Sequence, residues 1–194
     1  IVLVGLSMGG GVAQTVALDH PARIGALGLV STSPRFPEAT RERFLARAAA
    51  AERDGMAAVM DVTVPRWFMP AWMAAHPEEV AATTATVLAT DPVMFARASR
   101  LNCVRDVSAR LGEIRVPVLF VGGLEDPADP LRSVPEYEAA IADLRVELVP
   151  GVSHLVPVEA PGALVGPLRD LVARHPGDQP DGQPAGRPAG RRPA

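Results

Sequence analysis

Short continuous apolar runs alternate along this chain with segments of helical periodicity. The apolar runs lie at 1–4, 24–30, 116–121 and 145–149, and the helical segments at about 9–19, 104–111, 135–142 and 161–173. Runs without polar alternation are typical of strands that are buried on both faces of a parallel sheet. Strands that alternate with helices predict an α/β fold, in which helices cover both faces of a mostly parallel sheet.

The segment 34–102 interrupts this alternation. It is helical in pattern, contains both tryptophans and has no convincing strand, which predicts an inserted helical cap. The predicted organisation is therefore a first core part at 1–33, a cap at 34–102, the rest of the core at 103–175 and a Pro/Gly/Arg tail at 176–194. We expect this tail to be disordered, because it has no large apolar side chain to bury. Three arginines of the cap, Arg43, Arg47 and Arg53, are expected on solvated faces.

A G-x-S-x-G segment, Gly5-Leu6-Ser7-Met8-Gly9, directly follows the first predicted strand and precedes the first predicted helix. In this setting a serine is placed on a sharp turn and becomes a nucleophile. The glycines two residues before and after Ser7 are expected to be needed because a Cβ there would collide across the turn. The N–H of Met8, at the helix start, is the candidate oxyanion donor. Taken alone, the segment also fits a glycine-rich turn before a buried helix.

His154 is the candidate catalytic base. The other three histidines, His20, His76 and His175, are each followed by proline, a step that suits the end of a helix. His154 instead lies in a loop after the strand-like run 145–149. Considered without Ser7, it fits a surface loop histidine better.

The candidate acid lies between the serine and the histidine, in the order of α/β-hydrolases. The strand-like run 116–121 leads into a loop with three carboxylates, Glu125, Asp126 and Asp129. Asp126 is the predicted acid because it lies where the chain leaves the turn glycines and Pro127 fixes the following backbone. Glu125 and Asp129 are expected to be solvated neighbours.

These motifs resemble the α/β-hydrolase superfamily, and within it most closely the 3-oxoadipate enol-lactonases of aromatic catabolism. The resemblance is carried by 4–10, 123–128, 151–155 and 158–161, and in the cap by 66–71, 75–77 and 88–92; the segment 100–104 departs from it. It implies Ser-His-Asp acyl-enzyme chemistry that opens the enol-lactone to 3-oxoadipate. The implied substrate bears a carboxylate, for which Arg66 with Trp67 is the candidate site. Trp67 also fits the cap core, and Arg66 a surface charge.

Two other functions fit the same residues. One is another α/β-hydrolase reaction, by a carboxylesterase or a cofactor-free haloperoxidase-like enzyme. The other is a non-catalytic binding protein on the same fold. The sequence begins without methionine and inside a predicted interior strand, so we expect an N-terminally truncated fold that lacks upstream strands and a second oxyanion donor. On that expectation residues 1–194 alone would fold poorly and be inactive.

Composition excludes several other classes. The chain has 194 residues, 48% of them hydrophobic, which suffices for one sizeable core. A net charge of −3 and scattered arginines without lysine predict no nucleic-acid partner. No run approaches transmembrane length, so no membrane partner is predicted. The single cysteine, Cys103, is expected in the core of a reduced, cytoplasmic protein. Metal-site spacings and a phosphate-binding lysine are absent from the sequence, which predicts cofactor-free, metal-free chemistry.

Overall fold

The computed structural model of the protein describes residues 1–127 and 130–175. Its centre is one sheet of four parallel strands in the order β1-β2-β3-β4. The strands are β1 (Val2–Leu6), β2 (Ala26–Val30), β3 (Val118–Gly123) and β4 (Leu144–Val149). β2 and β3 are buried along their whole length, and β1 and β4 are the two edges. The apolar runs therefore form the predicted parallel sheet.

Helices pack against both faces of this sheet, so the predicted α/β fold is confirmed. They are α1 (Met8–Asp19), α7 (Val134–Ala140), α8 (Val156–Glu159) and α9 (Pro161–Ala173). One apolar layer joins Ala13 and Tyr137 to Leu29 and Phe120 of the sheet. The opposite layer joins the α9 side chains to β2 and β3. Because the four strands are parallel, the loops that follow them lie at one edge of the sheet.

Between β2 and β3 the chain forms helices joined by loops and contains no strand. The α-helices are α2 (Glu38–Asp54), α3 (Met60–Thr63), α4 (Pro70–Ala75), α5 (Pro77–Leu88) and α6 (Pro92–Val104). α2 and α6 lie against each other, and the small side chains of Ala48, Ala51 and Ala96 are fully buried. Cys103 is buried as expected, and burial raises the pKa of its thiol. No helix in the described ranges is both long and apolar enough to cross a membrane.

The prediction of an α-helix near 104–111 is wrong. α6 continues to Val104, Arg105 is extended, and a 3₁₀ helix follows at Ser108–Glu113. The chain turns here because the Arg105 guanidinium donates hydrogen bonds to the carbonyls of Ser33 at 2.8 Å and Pro34 at 3.0 Å. The predicted disordered tail at 176–194 and the candidate neighbour Asp129 lie outside the described residues.

Candidate active site

Ser7 lies on the turn between β1 and α1, in a left-handed conformation with φ of 52°. Its N–H donates to the carbonyl of Val30 on β2 at 2.8 Å, which fixes the turn to the sheet. A Cβ at Gly5 would collide with the backbone of Gly9 and Gly10, so only glycine fits there. The prediction that position 9 also needs glycine is wrong, because a Cβ at Gly9 would meet open space. The turn therefore depends on the glycine before the serine.

His154 contacts both other predicted site residues. Its Nε2 lies 2.9 Å from Ser7 Oγ, and its Nδ1 lies 2.7 Å from Asp126 Oδ2. An ionised carboxylate only accepts hydrogen bonds, so it fixes the tautomer in which Nδ1 carries the proton. Nε2 is then free to accept the hydroxyl proton of Ser7. The Asp126 side chain has no exposed surface and that of His154 is 10% exposed, so bulk water competes little for these hydrogen bonds.

The loop after β3 carries Asp126 (the acid loop), and the loop after β4 carries His154 (the histidine loop). The two loops approach each other closely at Gly123. A Cβ at Gly123 would collide with the carbonyl groups of Val152 and Ser153, next to His154 in the chain. This approach brings Asp126 within reach of the imidazole. Glu125, its neighbour, is exposed, and one of its carboxylate oxygens accepts a hydrogen bond from the N–H of Gly151 at 3.3 Å. The position of the loop therefore places Asp126, and not Glu125, against His154.

The helical segment is joined to the histidine loop by Glu159. One carboxylate oxygen of Glu159 accepts from the N–H of Met69, and the other accepts from the N–H of Ser153, both at 2.6 Å. Two further hydrogen bonds run between the same segments. Ser153 Oγ donates to the carbonyl of Arg66 at 3.2 Å, and the N–H of Leu155 donates to the carbonyl of Trp67 at 3.1 Å. In the sequence, the only signal for Glu159 is its place in the family-like segment 158–161.

A cavity of about 490 Å³ opens above Ser7 and His154, between the sheet edge and the helical segment. Its walls combine apolar and aromatic side chains with a few polar ones. The lining residues are Ser7, Met8, Ser31, Thr32, Ser33, Phe36, Phe44, Arg47, Arg66, Trp67, Val87, Thr90, Met94, Phe95, Ala98, Ser99, Asn102, Pro130 and His154. Arg66 and Trp67 thus lie in the same cavity as the serine and the histidine. Phe68, beside them, is 1% exposed and belongs to the core.

Arg47 also lines this cavity, so its predicted place on a solvated face is wrong. Its guanidinium lies between two aromatic rings, 4.9 Å from the centre of Phe44 and 5.5 Å from that of Phe95. Its Nε is buried and has no hydrogen-bond partner within the described part of the chain. Burial, followed by the positive charge of Arg66, lowers the pKa of Arg47. Arg43 and Arg53 are exposed as expected.

The cavity has a positive wall without an acidic counterpart. Among the described residues that line it, none is an aspartate or glutamate. Arg47 and Arg66 also share the wall of a neighbouring cavity of about 410 Å³. An anionic group in the larger cavity would therefore meet two guanidinium groups and no opposing carboxylate among the described lining residues.

The N–H of Met8 is the first of α1 and lies beside Ser7 at the cavity floor. The first N–H groups of a helix have no acceptor within the helix and favour negative charge. They suit an oxyanion that develops next to Ser7. No group of three or more metal-binding side chains occurs in the part of the chain that the structure describes.

Comparison with known proteins places this geometry in a family. The sequence pattern of the alpha/beta hydrolase family matches residues 1–166. The chain belongs to this family. Its predicted resemblance is thereby confirmed at the level of the superfamily, and curated enol-lactonases are among the similar proteins.

Three relatives show the range of reactions in this neighbourhood. RutD of Variovorax paradoxus (strain S110), which is named as a carbamate hydrolase, is 30% identical over 174 residues, 89% of this chain and 65% of RutD. The 3-oxoadipate enol-lactonase 2 of Acinetobacter baylyi (strain ATCC 33305 / BD413 / ADP1) is 26% identical over 82% of this chain and 58% of that protein. The crystal structure of the enol-lactonase from Burkholderia xenovorans LB400 superposes with a TM-score of 0.83 at 29% identity, over 88% of this chain and 64% of that one. The chain thus spans 58–65% of the length of these relatives.

Proposed function

We propose that this protein is a serine hydrolase that opens a carboxylated enol-lactone to 3-oxoadipate. The observation that carries this proposal is the chain of hydrogen bonds from Asp126 through His154 to Ser7, at the floor of a cavity with two unopposed arginines. Two relatives named as enol-lactonases, at 26% and 29% identity, support the substrate class.

The reaction begins when His154 Nε2 takes the proton of Ser7 Oγ as this oxygen attacks the lactone carbonyl carbon. Asp126 accepts a hydrogen bond from Nδ1–H and stabilises the imidazolium that forms. The N–H of Met8 donates to the carbonyl oxygen, on which negative charge develops. The acyl C–O bond of the ring then breaks, and the enol oxygen that leaves takes the proton from His154.

The second half of the reaction releases the acyl group. The enol relaxes to a ketone while its chain stays attached to Ser7 through the ester. His154 then removes a proton from water, whose oxygen attacks the ester carbonyl, and returns it to Ser7 Oγ. Every proton is carried by His154, so the proposed reaction needs no metal or cofactor.

We assign recognition of the substrate carboxylate to Arg47 together with Arg66. The sequence alone predicts Arg66 with Trp67 for this role, but the cavity adds the guanidinium of Arg47. Two arginines side by side repel each other, and the charge of Arg66 contributes to the lowered pKa of Arg47. A carboxylate between them relieves this repulsion and satisfies the buried Nε. Trp67 then serves as an apolar wall for the lactone ring.

Carbamate hydrolysis on the same residues is the second candidate, favoured by the 30% identity to RutD. It uses the same nucleophile and base, but its substrates need no carboxylate. The preference for a carboxylated over a neutral substrate therefore separates the two.

The test compares initial rates of the protein on the carboxylated enol-lactone, a neutral aryl ester and a neutral alkyl carbamate. We expect the lactone to have the highest kcat/KM, and Ser7→Ala to remove turnover of all three. A preference for the carbamate would replace the lactonase proposal by the second candidate. If neither turnover nor labelling of Ser7 by a covalent serine probe is found, the protein is a binding protein on this fold.

Replacement of either arginine tests the carboxylate site. We expect Arg47→Met and Arg66→Met each to lower kcat/KM on the lactone roughly ten- to a hundredfold, because a hydrogen bond to a charged group is worth about 1.5–3 kcal/mol. Turnover of the neutral ester should fall much less. Arg97→Met, an exposed arginine of α6 outside the cavity, is the matched control. Equal losses on both substrates would assign the two arginines a structural role only.

A further inference from the structure

Ser31, the first residue after β2, combines a strained backbone with a buried, unpaired hydroxyl group. Its φ is 44°, and apart from Ser7 it is the only residue other than glycine with positive φ in the described ranges. Its side chain is also buried, since the residue is 1% exposed and its Oγ has no hydrogen-bond partner there. Strained backbone and unsatisfied polar groups are both costly, and they persist mainly at sites that bind or react with ligands.

Ser33 repeats the second of these features two residues later. It is also 1% exposed, and its Oγ likewise has no partner in the described part of the protein. Both serines line the cavity that contains Ser7 and His154. Two residues of the cavity wall thus carry buried hydroxyl groups that have no hydrogen-bond partner among the described residues.

The backbone around these hydroxyls is held rigidly relative to Ser7. The N–H of Ser31 donates to the carbonyl of Val121 on β3 at 2.9 Å, and Thr32 Oγ1 donates to the carbonyl of Ser7 at 2.7 Å. The carbonyl of Ser33 accepts from Arg105 at 2.8 Å and from Gln14 at 3.4 Å. β3, the Ser7 turn, α1 and Arg105 thereby fix the backbone of this segment relative to the nucleophile.

We propose that Ser31 and Ser33 form a hydrogen-bonding subsite for a second carbonyl-type oxygen on the acyl part of the substrate. A hydroxyl group can donate to such an oxygen, and a substrate that carries it satisfies groups that are otherwise buried without a partner. A substrate without this oxygen leaves the hydroxyls unpaired, which is how a polar pocket rejects the less polar analogue. The subsite rests on the proposed function in one respect, that the acyl group is turned over at Ser7.

Two aryl esters with acyl chains of equal length provide the test, one with a 4-oxopentanoyl group and one with a pentanoyl group. The readout is the ratio of their kcat/KM values, keto ester over plain ester. We expect this ratio to fall about three- to tenfold in Ser31→Ala and in Ser33→Ala, the range for loss of one hydrogen bond to a neutral group. Ser108→Ala removes a serine hydroxyl outside the cavity and should keep the wild-type ratio.

The ratio of the two kcat/KM values distinguishes recognition of the keto oxygen from a purely structural role of the two serines. If the two serines only shape the turn, their variants lose activity on both esters equally and the ratio stays constant, which overturns the subsite. Ser31→Asn retains a hydrogen-bond donor and tolerates positive φ, so it should keep a higher ratio than Ser31→Ala. If Ser31→Ala does not fold, as judged by its thermal melt, Ser33→Ala decides the matter.

A binding measurement makes the test independent of turnover. Isothermal titration of 4-oxopentanoate and pentanoate into the wild type and the alanine variants gives the same preference as a ratio of Kd values. A wild-type preference for the keto acid that is lost in Ser31→Ala supports the subsite even if no ester is hydrolysed. Absence of ester hydrolysis would contradict only the proposed function. Equal affinities of the wild type for the two acids would overturn the subsite.

Discussion

Asp126 and Glu125 carry the same functional group on adjacent residues, yet their surroundings differ completely. The Asp126 side chain has no exposed surface and lies 2.7 Å from His154 Nδ1. Glu125 is exposed and contacts the backbone of Gly151. In the proposed reaction only Asp126 can hold the imidazole in the tautomer that leaves Nε2 free for Ser7.

We predict that Asp126→Asn lowers kcat roughly ten-thousandfold, as expected when an amide favours the wrong tautomer of a catalytic histidine. Glu125→Gln is the matched control and should retain activity within about threefold, because an exposed polar contact contributes little. Steady-state kinetics on a neutral aryl ester measure both variants. A nearly silent Asp126→Asn beside a severe Glu125→Gln would show that the acid is misassigned.

At the scale of the elements, the hydrogen bonds of Glu159 link two parts of the chain that the sequence separates by 90 positions. Its carboxylate receives one N–H from the helical segment and one from the histidine loop. Because Ser153 directly precedes His154, the orientation of this loop sets the position of the imidazole. A contact far along the chain thereby bears on the geometry of the base.

We predict that Glu159→Gln destabilises the protein by about 1–3 kcal/mol, because the amide NH₂ faces an N–H that then loses its acceptor. A slightly displaced imidazole should also lower kcat about tenfold or more, with a smaller effect on KM. Urea unfolding and steady-state kinetics measure the two effects.

Hydrogen exchange distinguishes this local role from a general loss of stability. The amides of Met69 and Ser153 should exchange faster in Glu159→Gln, whereas those of β2 should change only as far as global stability does. Glu138→Gln, an exposed glutamate on α7, is the control. Unchanged protection at Met69 and Ser153 would contradict the proposed link.

At the scale of the elements, the central strands and the loops that carry the site could be predicted from the sequence. β2 and β3 are readable because strands buried on both faces need continuous apolar runs, and the loops after β1, β3 and β4 follow from those strands. α9 begins and ends where its pattern predicts, at Pro161 and Ala173. Ser7, Asp126 and His154 are predictable because each follows a strand, and parallel strands end at one edge of the sheet.

Features that depend on packing between distant elements were not predictable. Arg47 looks like a surface residue of α2, and its place in the cavity follows only from how Phe44 and Phe95 pack around it. The missing helix near 104–111 has a similar cause, since Arg105 turns back to the carbonyls of Ser33 and Pro34. The unpaired hydroxyls of Ser31 and Ser33 are visible only once burial is known. Their place after β2, at the active-site edge, was the signal that the sequence did offer.

At the scale of the whole molecule, the β1 edge of the sheet is apolar and pairs with no further strand among the described residues. β1 is hydrogen-bonded to β2 on one side only within the described residues. Large apolar side chains near this edge are exposed, with Ile1 at 69%, Val4 at 45% and Val12 at 57%. An open strand edge beside apolar surface readily pairs with another chain.

We predict that the 194-residue chain, expressed by itself, self-associates through β1 in a concentration-dependent manner. Sedimentation velocity over a range of protein concentrations should show dimers or larger species, and the double variant Val4→Lys/Val12→Lys should shift the protein to monomers because charges at an edge oppose pairing. Val165→Lys is the matched control, since Val165 is 55% exposed and lies on α9 rather than on β1 or α1. A wild-type chain that stays monomeric at every concentration, or an equal shift by Val165→Lys, would show that the β1 edge does not govern association.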